Sequence, residues 1–346
     1  MKVDTRRSLI DISDRLYDHA LAAEFLADHV EPIIHVRHDQ LSNENYNFMV
    51  VTRDNPTTRP LLDILTQAGY YIYGVNQYTT SFVHDSRIDD VWPDVATKKI
   101  QRTDEGVLFR IEEAKSGNSE SLLVVLSSMA GGLYQTDISR YFHPNFPTIA
   151  KYLPENTTIL RIGDLGGVKG AFYLPTAFKP SRPAATARLI RDTANERGIP
   201  ASRIVLYGAS KGATGAVALG LSGNLSFLAV DPILSDRFYE EQRNDLHFTT
   251  GGIFPSTKET YFSRLLDSSG GYQHVPVFIS SPNSEQFSSV RDFADRLGPT
   301  STLLISKNPS IAHHPDVGAR TVHMQTSVLN FMLSGFHLET GRMTFN

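Results

Sequence analysis

Residues 204–220 read Ile204-Val205-Leu206-Tyr207-Gly208-Ala209-Ser210-Lys211-Gly212-Ala213-Thr214-Gly215-Ala216-Val217-Ala218-Leu219-Gly220. A short apolar run suited to a buried strand enters Gly-x-Ser-x-Gly, and a small-residue segment patterned like a tightly packed helix leaves it. Strand, sharp turn and helix in that order make a nucleophile elbow. Its glycines relieve crowding in a strained turn, and Ser210 is presented at the carboxyl end of a sheet. The bare pattern is weak in a chain with 24 glycines, and the flanking strand and helix give it weight.

The alternation continues on both sides. Residues 107–112, 122–127, 158–162, 227–230, 275–280 and 303–306 are short apolar runs, and 184–197, 285–297 and 317–333 have helical composition or spacing. This predicts an α/β-hydrolase-like, largely parallel sheet with helices on both faces and a ligand site beyond the strand carboxyl ends. Upstream, the spacing predicts an amphipathic helix over 6–28, a strand over 46–52, a helix over 60–67 closed by Gly69, and a strand over 70–75. The chain thus divides into a smaller amino-terminal α/β unit, 1–95, and a main unit, 96–346, joined anywhere between 85 and 105. A long insertion at 235–273 reads as a cap. Its aromatics, Phe238, Tyr239, Phe248, Phe254, Tyr261, Phe262 and Tyr272, suit either a substrate pocket or the cap's own packing.

A serine hydroxyl is a poor nucleophile until a base takes its proton. His313 and His314 lie between the last predicted strand and the carboxy-terminal helix, where α/β-hydrolases supply their histidine. His314 is preferred because Pro315-Asp316-Val317-Gly318 behind it resembles a tight helix start; His313 is the alternative. Two strand ends offer an acid to orient the ring. Glu285 preserves the order Ser, Glu, His and is placed first, and Asp231, beside Pro232, is the alternative. The backbone N–H of Lys211 is the expected first oxyanion donor, and Met129 or Ala130, in the Ser128-Met129-Ala130-Gly131-Gly132 loop, the second.

Composition narrows the field. Formal charge is −4 without a basic block, which argues against nucleic acid. There is no cysteine, hence no disulfide, thiolate metal site or cysteine nucleophile. No metal is expected: His35 and His38 stand without a nearby acidic or thiolate set. No cofactor is expected either, since Gly163 to Gly170 lacks dinucleotide or P-loop spacing. Asp4, Arg6, Arg7, Asp11, Asp14, Arg15 and Asp18 leave no apolar core for a signal peptide, and no later stretch approaches membrane-spanning length, so a cytoplasmic protein is expected.

The elbow, together with Leu160-Arg161-Ile162-Gly163-Asp164, Gly170-Ala171-Phe172-Tyr173-Leu174 and Ala229-Val230-Asp231-Pro232, resembles the XcbB/CpsF family of capsular polysaccharide biosynthesis proteins. That family is similar to the hydrolase-like component of the accessory Sec system, which acetylates sugars on exported adhesins through a Ser-Glu-His arrangement. The resemblance spans about residues 105–335. It implies an acyl-Ser210 intermediate, Glu285 and His314 as partners, Asp164 as a further candidate near the site, a small-molecule acyl donor and a glycan acceptor. The implied reaction is O-acetyl transfer or deacetylation. The doubled histidine departs from the pattern and leaves the base open by one residue. The alternative is a catalytically silent scaffold in a glycan-assembly or secretion machine.

Overall fold

The computed structural model describes residues 2–4, 9–12, 24, 26, 31–39, 41, 43–130, 136–243, 246, 252–268 and 272–346. A small sheet comes first, from β1 (Lys2–Asp4), β2 (Leu9–Asp11), β3 (Ile33–Arg37), β4 (Tyr70–Asn76) and β5 (Thr79–His84), in the order β1-β2-β3-β5-β4. Only β2 and β3 run parallel within it. Helices α1 (Phe48–Asp54) and α2 (Arg59–Gln67) cover it through Phe48, Met49, Val51, Leu61, Leu62 and Leu65.

Two expectations fail here. Of residues 46–52, expected as a strand, 48–52 enter α1 instead. Asn47 caps the helix by accepting from the Val50 amide at 3.2 Å, and Phe48 to Val51 are all buried, so tertiary burial overrides β propensity. Within the helix predicted over 6–28, Leu9–Asp11 form β2, whose alternating burial puts Ile10 in the core beside β3. Glu24 and Leu26 are helical, and the rest of that prediction lies outside the described residues.

The main sheet has nine strands: β6 (Gln101–Arg102), β7 (Leu108–Glu112), β8 (Ser121–Leu126), β9 (Thr157–Ile162), β10 (Ile204–Ala209), β11 (Ser226–Val230), β12 (Val277–Ser280), β13 (Thr302–Ser306) and β14 (Gly341–Phe345). Their order is β14-β13-β12-β11-β10-β8-β9-β7-β6, parallel from β14 to β9 and antiparallel at β7 and β6. Strand side chains alternate between two cores. Leu122, Val124, Leu126 and Leu206 face α3 (Arg182–Glu196), α4 (Lys211–Gly223), α5 (Lys258–Ser268) and α6 (Phe287–Leu297). Leu123, Val125, Val205 and Tyr207 face α7 (His314–Arg320) and α8 (Val322–Leu333), the segment 317–333 being divided at Thr321. Runs buried on both faces carry no period-2 signal, as a covered parallel sheet requires. This is the α/β-hydrolase fold. No helix among the described residues is long and apolar enough to cross a membrane.

The two sheets share apolar contacts. Val168, in the loop after β9, is buried in the small sheet's core, and Leu165 of the same loop packs with Tyr71, Val83, Ile88 and Trp92. Beside this seam Asp85 accepts from Tyr71 Oη at 2.9 Å, Arg102 Nη2 at 2.7 Å and Lys179 Nζ at 2.7 Å. Burial alone would push the Asp85 carboxyl up, but Lys179 and Arg102 overcome it and hold the group below the usual carboxylate range. A depressed folded pKa stabilises the protein above the unfolded value of about 3.9 and ceases to do so as pH falls through the folded value. Asp85→Asn is therefore expected to destabilise the protein by about 1.5–3 kcal/mol at pH 7. The difference from the parent should shrink as pH falls below the unfolded value of about 3.9 and through the lower folded value, read by urea denaturation across pH.

Candidate active site

β10 and α4 meet at the elbow with almost no space between backbones. A Cβ on Gly208 would overlap the Gly212 carbonyl group, and a Cβ on Gly212 would stand 2.6 Å from the Leu126 carbonyl oxygen. Both glycines are therefore required by contact. Ser210, between them, adopts φ 54° and ψ −118°, a conformation costing about 1–3 kcal/mol for a residue with a side chain. Its N–H donates to the Val230 carbonyl at 2.9 Å, tying the strained residue to the neighbouring strand.

The loop after β13 brings His314 to this serine. Ser210 Oγ and His314 Nε2 are 2.7 Å apart, and His314 Nδ1 lies 2.7 Å from Asp231 Oδ2. An ionised carboxylate only accepts, so Nδ1 carries the proton toward Asp231 and Nε2 is left to accept from the serine hydroxyl. Asp231 is almost fully buried just past β11, where φ of 50° breaks the strand conformation and its N–H donates to Ile279 O of β12 at 2.7 Å. Its carboxylate also accepts from Ser280 Oγ at 2.5 Å and from Ser284 Oγ. Both hydroxyls come from Ser280-Ser281-Pro282-Asn283-Ser284, which begins at the last residue of β12, and the short hydroxyl side chains clustered there are the sequence signal for this support.

Glu285, placed first on chain order, does not reach the ring. Its Oε2 accepts from the backbone N–H of His314 at 2.7 Å, and its Oε1 lies 3.4 Å from Nδ1 of the exposed His313 ring. Burial pushes the Glu285 carboxyl up, but the amides of His314 and Glu285 outweigh it and hold the group below its ordinary value. Glu285 thus fixes the loop that carries His314, while Asp231 fixes the imidazole. Asp316 assists by accepting from the Ala312 and His313 amides at 3.0 and 3.1 Å.

Asp164, the further candidate, is fully buried beneath the elbow. Its Oδ2 lies 3.1 Å from Lys211 Nζ, with both side chains inaccessible. The carboxylate accepts from the amides of Phe172 at 2.8 Å and Tyr173 at 3.2 Å, two residues with positive φ. Gly170 is needed because a Cβ there would enter the space of this ion pair. Tyr173 then reaches the end of β8: Ser127 N–H donates to its Oη at 2.6 Å, and its own O–H donates to Ile162 O at 2.8 Å.

A cavity of about 640 Å³ opens at Ser210, with Met129 and Ala130 among its lining residues. Gly131 and Gly132 lie outside the described residues. Lys211 begins α4, so its N–H has no acceptor within the helix. Of the aromatics in the insertion, Tyr239 borders the cavity, whereas Phe254 and Phe262 are buried in the core. Phe248 lies outside the described residues. His38 is buried against Thr80 Oγ1 at 3.0 Å, and burial lowers its pKa to about 4. His35 bonds Ser81 Oγ at 2.9 Å.

No protein-family model and no curated protein matches the chain. Among solved structures it is similar to the Glycosylation Associate Protein (Gap123) complex from Streptococcus agalactiae. There the TM-score is 0.50 at 17% identity, over 69% of this chain and 47% of that one. The protein thus spans about half the length of that chain. It is also similar to the capsule O-acetyltransferase of Neisseria meningitidis serogroup A, with TM-score 0.49 and 14% identity over 66% of this chain and 93% of that one. A third similarity is to FphF, a fluorophosphonate-binding serine hydrolase of Staphylococcus aureus. Its TM-score is 0.48 at 10% identity, over 68% of this chain and 96% of that one. At these identities the likeness concerns the fold.

Removing one member of a buried ion pair leaves the other charge uncompensated. Lys211→Met is expected to destabilise the protein by about 3–5 kcal/mol, and Asp164→Asn combined with Lys211→Met to recover most of that loss. Equilibrium urea denaturation measures both. A double variant no more stable than Lys211→Met would contradict the pairing.

Proposed function

We propose that the protein is a serine-dependent acyl-transfer enzyme working through an acyl-Ser210 intermediate. The observation that carries this reading is the continuous hydrogen-bonded chain Ser210 Oγ, His314 Nε2, His314 Nδ1, Asp231 Oδ2, with 2.7 Å at each link between residues. Ser210 Oγ attacks the acyl carbonyl as its proton passes to Nε2. Asp231 stabilises the imidazolium that forms without itself taking the proton. The carbonyl oxygen becomes an oxyanion facing the Lys211 N–H, with Met129 or Ala130 supplying the second amide. Collapse expels the leaving group, which takes the proton from Nε2. A second hydroxyl, from water or an acceptor, then yields its proton to Nε2 as it attacks the acyl-serine, and collapse breaks the acyl–Oγ bond as that proton passes to Ser210 Oγ. In this reading the acid is Asp231, and Glu285 and His313 stand outside the proton path.

The finer proposal is that the acceptor is a glycan hydroxyl in capsular polysaccharide biosynthesis and the donor a small acyl compound. It is supported by the XcbB/CpsF resemblance and agrees with the glycosylation-associated complex among the fold neighbours. In this proposal the chain divides into an amino-terminal unit, 1–95, and a main unit, 96–346, that carries the insertion at 235–273. The insertion is fastened to the amino-terminal unit, since Arg59 Nη2 donates to Leu246 O at 2.8 Å and Gln67 Nε2 to Gly252 O at 2.6 Å.

The test is kinetic and chemical together. A fluorophosphonate probe is expected to label the parent and not Ser210→Ala; no labelling of the parent at any pH would favour the silent scaffold. Ser210→Ala and His314→Ala are each expected to cost about 10⁴–10⁶ in acyl-transfer rate, the double variant being little worse because the residues act as a unit. Asp231→Asn should cost about 10³–10⁴, and Glu285→Gln less than about tenfold. The reverse ranking would return the acid to Glu285.

A further inference from the structure

The cavity at Ser210 is a groove rather than a niche for the hydroxyl alone. From the serine it runs between the 145–148 loop and the start of α8, over a floor that includes Tyr207 and Val230. At about 640 Å³ it falls in the range of about 300–1,000 Å³ that takes drug-sized ligands. An acetyl group would leave most of it to water.

The walls are chemically one-sided. Phe146, Pro147, Ala319 and Val322 contribute carbon surface, and no lysine or arginine lines the groove among the described residues. Most of its polar side chains already have partners inside the protein. Gln325 Oε1 accepts from Tyr207 Oη at 2.6 Å, while Gln325 Nε2 donates to Gly318 O at 2.6 Å and Thr321 Oγ1 at 2.8 Å. Asn145 Nδ2 donates to Leu126 O at 3.3 Å, and Asp231 is engaged by His314, Ser280 and Ser284. Ser128, Thr148 and Tyr239 are half-buried or exposed. A sugar ring seated here would lose water from its hydroxyls without enough replacement partners, and a polyphosphate would meet no cation. An alkyl chain gains from every methylene removed from water.

We propose that this groove binds the acyl chain of the donor, and that the chain is an uncharged aliphatic group several methylenes longer than acetyl, for which hexanoyl is the probe. The inference rests on the acyl-Ser210 reading and names its donor class. In the step, the acyl–oxygen bond of the donor ester breaks and the acyl–Oγ bond forms. The alcohol departs with the serine's proton, delivered by His314. The acceptor is unaffected, because it enters after the chain is seated.

Two measurements on the whole chain separate this inference from the reading beneath it. In the parent, kcat/KM for p-nitrophenyl hexanoate should exceed that for the acetate by at least about tenfold, given about 0.8 kcal/mol, or fourfold, per buried methylene. In Ser210→Ala, calorimetric or NMR titration should find methyl hexanoate binding at least about tenfold tighter than methyl acetate. Ala319→Trp, on the exposed side of α7, and Val322→Phe, at the first turn of α8, narrow the groove without touching the triad. Both should remove most of the hexanoyl preference, read as the ratio of hexanoyl to acetyl rate and of methyl hexanoate to methyl acetate binding, each lost methylene being worth about fourfold. Equal rates and equal binding for the two chain lengths would overturn the proposal, as would a preference that survives both substitutions. Selective binding of methyl hexanoate by Ser210→Ala, with no ester turned over by the parent, would uphold the groove and overturn the acyl-enzyme.

Discussion

The backbone contact between β10 and α4 is the constraint from which the site follows. Because Gly208 and Gly212 carry no Cβ, the strand and helix meet almost backbone to backbone, and the chain can reverse only by forcing Ser210 into positive φ. That conformation lifts the hydroxyl off the sheet toward the loop after β13. The cost is met by surrounding structure that permits no relaxation. The Ser210 amide bonds Val230, and Thr214 Oγ1 donates to Ile233 O at 2.9 Å while accepting from Ile233 N–H at 3.0 Å, locking the segment just past Asp231. Elbow and carboxylate are thereby built as one piece.

A second layer supports the first from beneath. Lys211 follows Ser210, yet its side chain points away from the cavity and into the protein, toward Asp164. The loop that Asp164 organises contributes Leu165 and Val168 to apolar clusters shared with the small sheet. Gly167 lies so close to Ile253 that a Cβ would stand 2.8 Å from its Cδ1, which brings the insertion into the same junction. The small sheet, Ile253 and the elbow are therefore joined through residues 164–173. Packed interiors of this kind transmit displacement rather than absorb it.

Much of this is legible in the sequence, and the failures have physical causes. Covered parallel strands appear as short apolar runs, and the elbow's glycines mark a contact that admits no other residue, so the main sheet and the approach of the His313-His314 pair to Ser210 can be read from the sequence, while the choice between the two rings cannot. The carboxylate cannot. Asp231 and Glu285 both follow strands and both preserve the chain order, and only φ of 50° at Asp231 and the hydroxyls of Ser280 and Ser284 turn that carboxylate to the ring. Glu285 is drawn instead to an unpaired amide at the first turn of α7, a local attraction that spacing does not reveal. β14 escapes notice because Gly341 to Phe345 is mostly exposed and carries little hydrophobic pattern, its place being fixed by pairing with β13. Residues 46–52 mislead in the opposite sense, strand formers recruited into a helix by an asparagine cap and complete burial.

The central claim is that Ser210 carries the acyl group covalently between donor and acceptor, and acid-quenched reaction with an activated acyl ester followed by intact-mass and peptide mass spectrometry examines it most directly. The account predicts one added acyl mass on the parent protein within the first turnover, located on Ser210, decaying on the timescale of turnover, and absent from Ser210→Ala. Turnover with no adduct at any quench time, or an adduct of equal yield in Ser210→Ala, would contradict it.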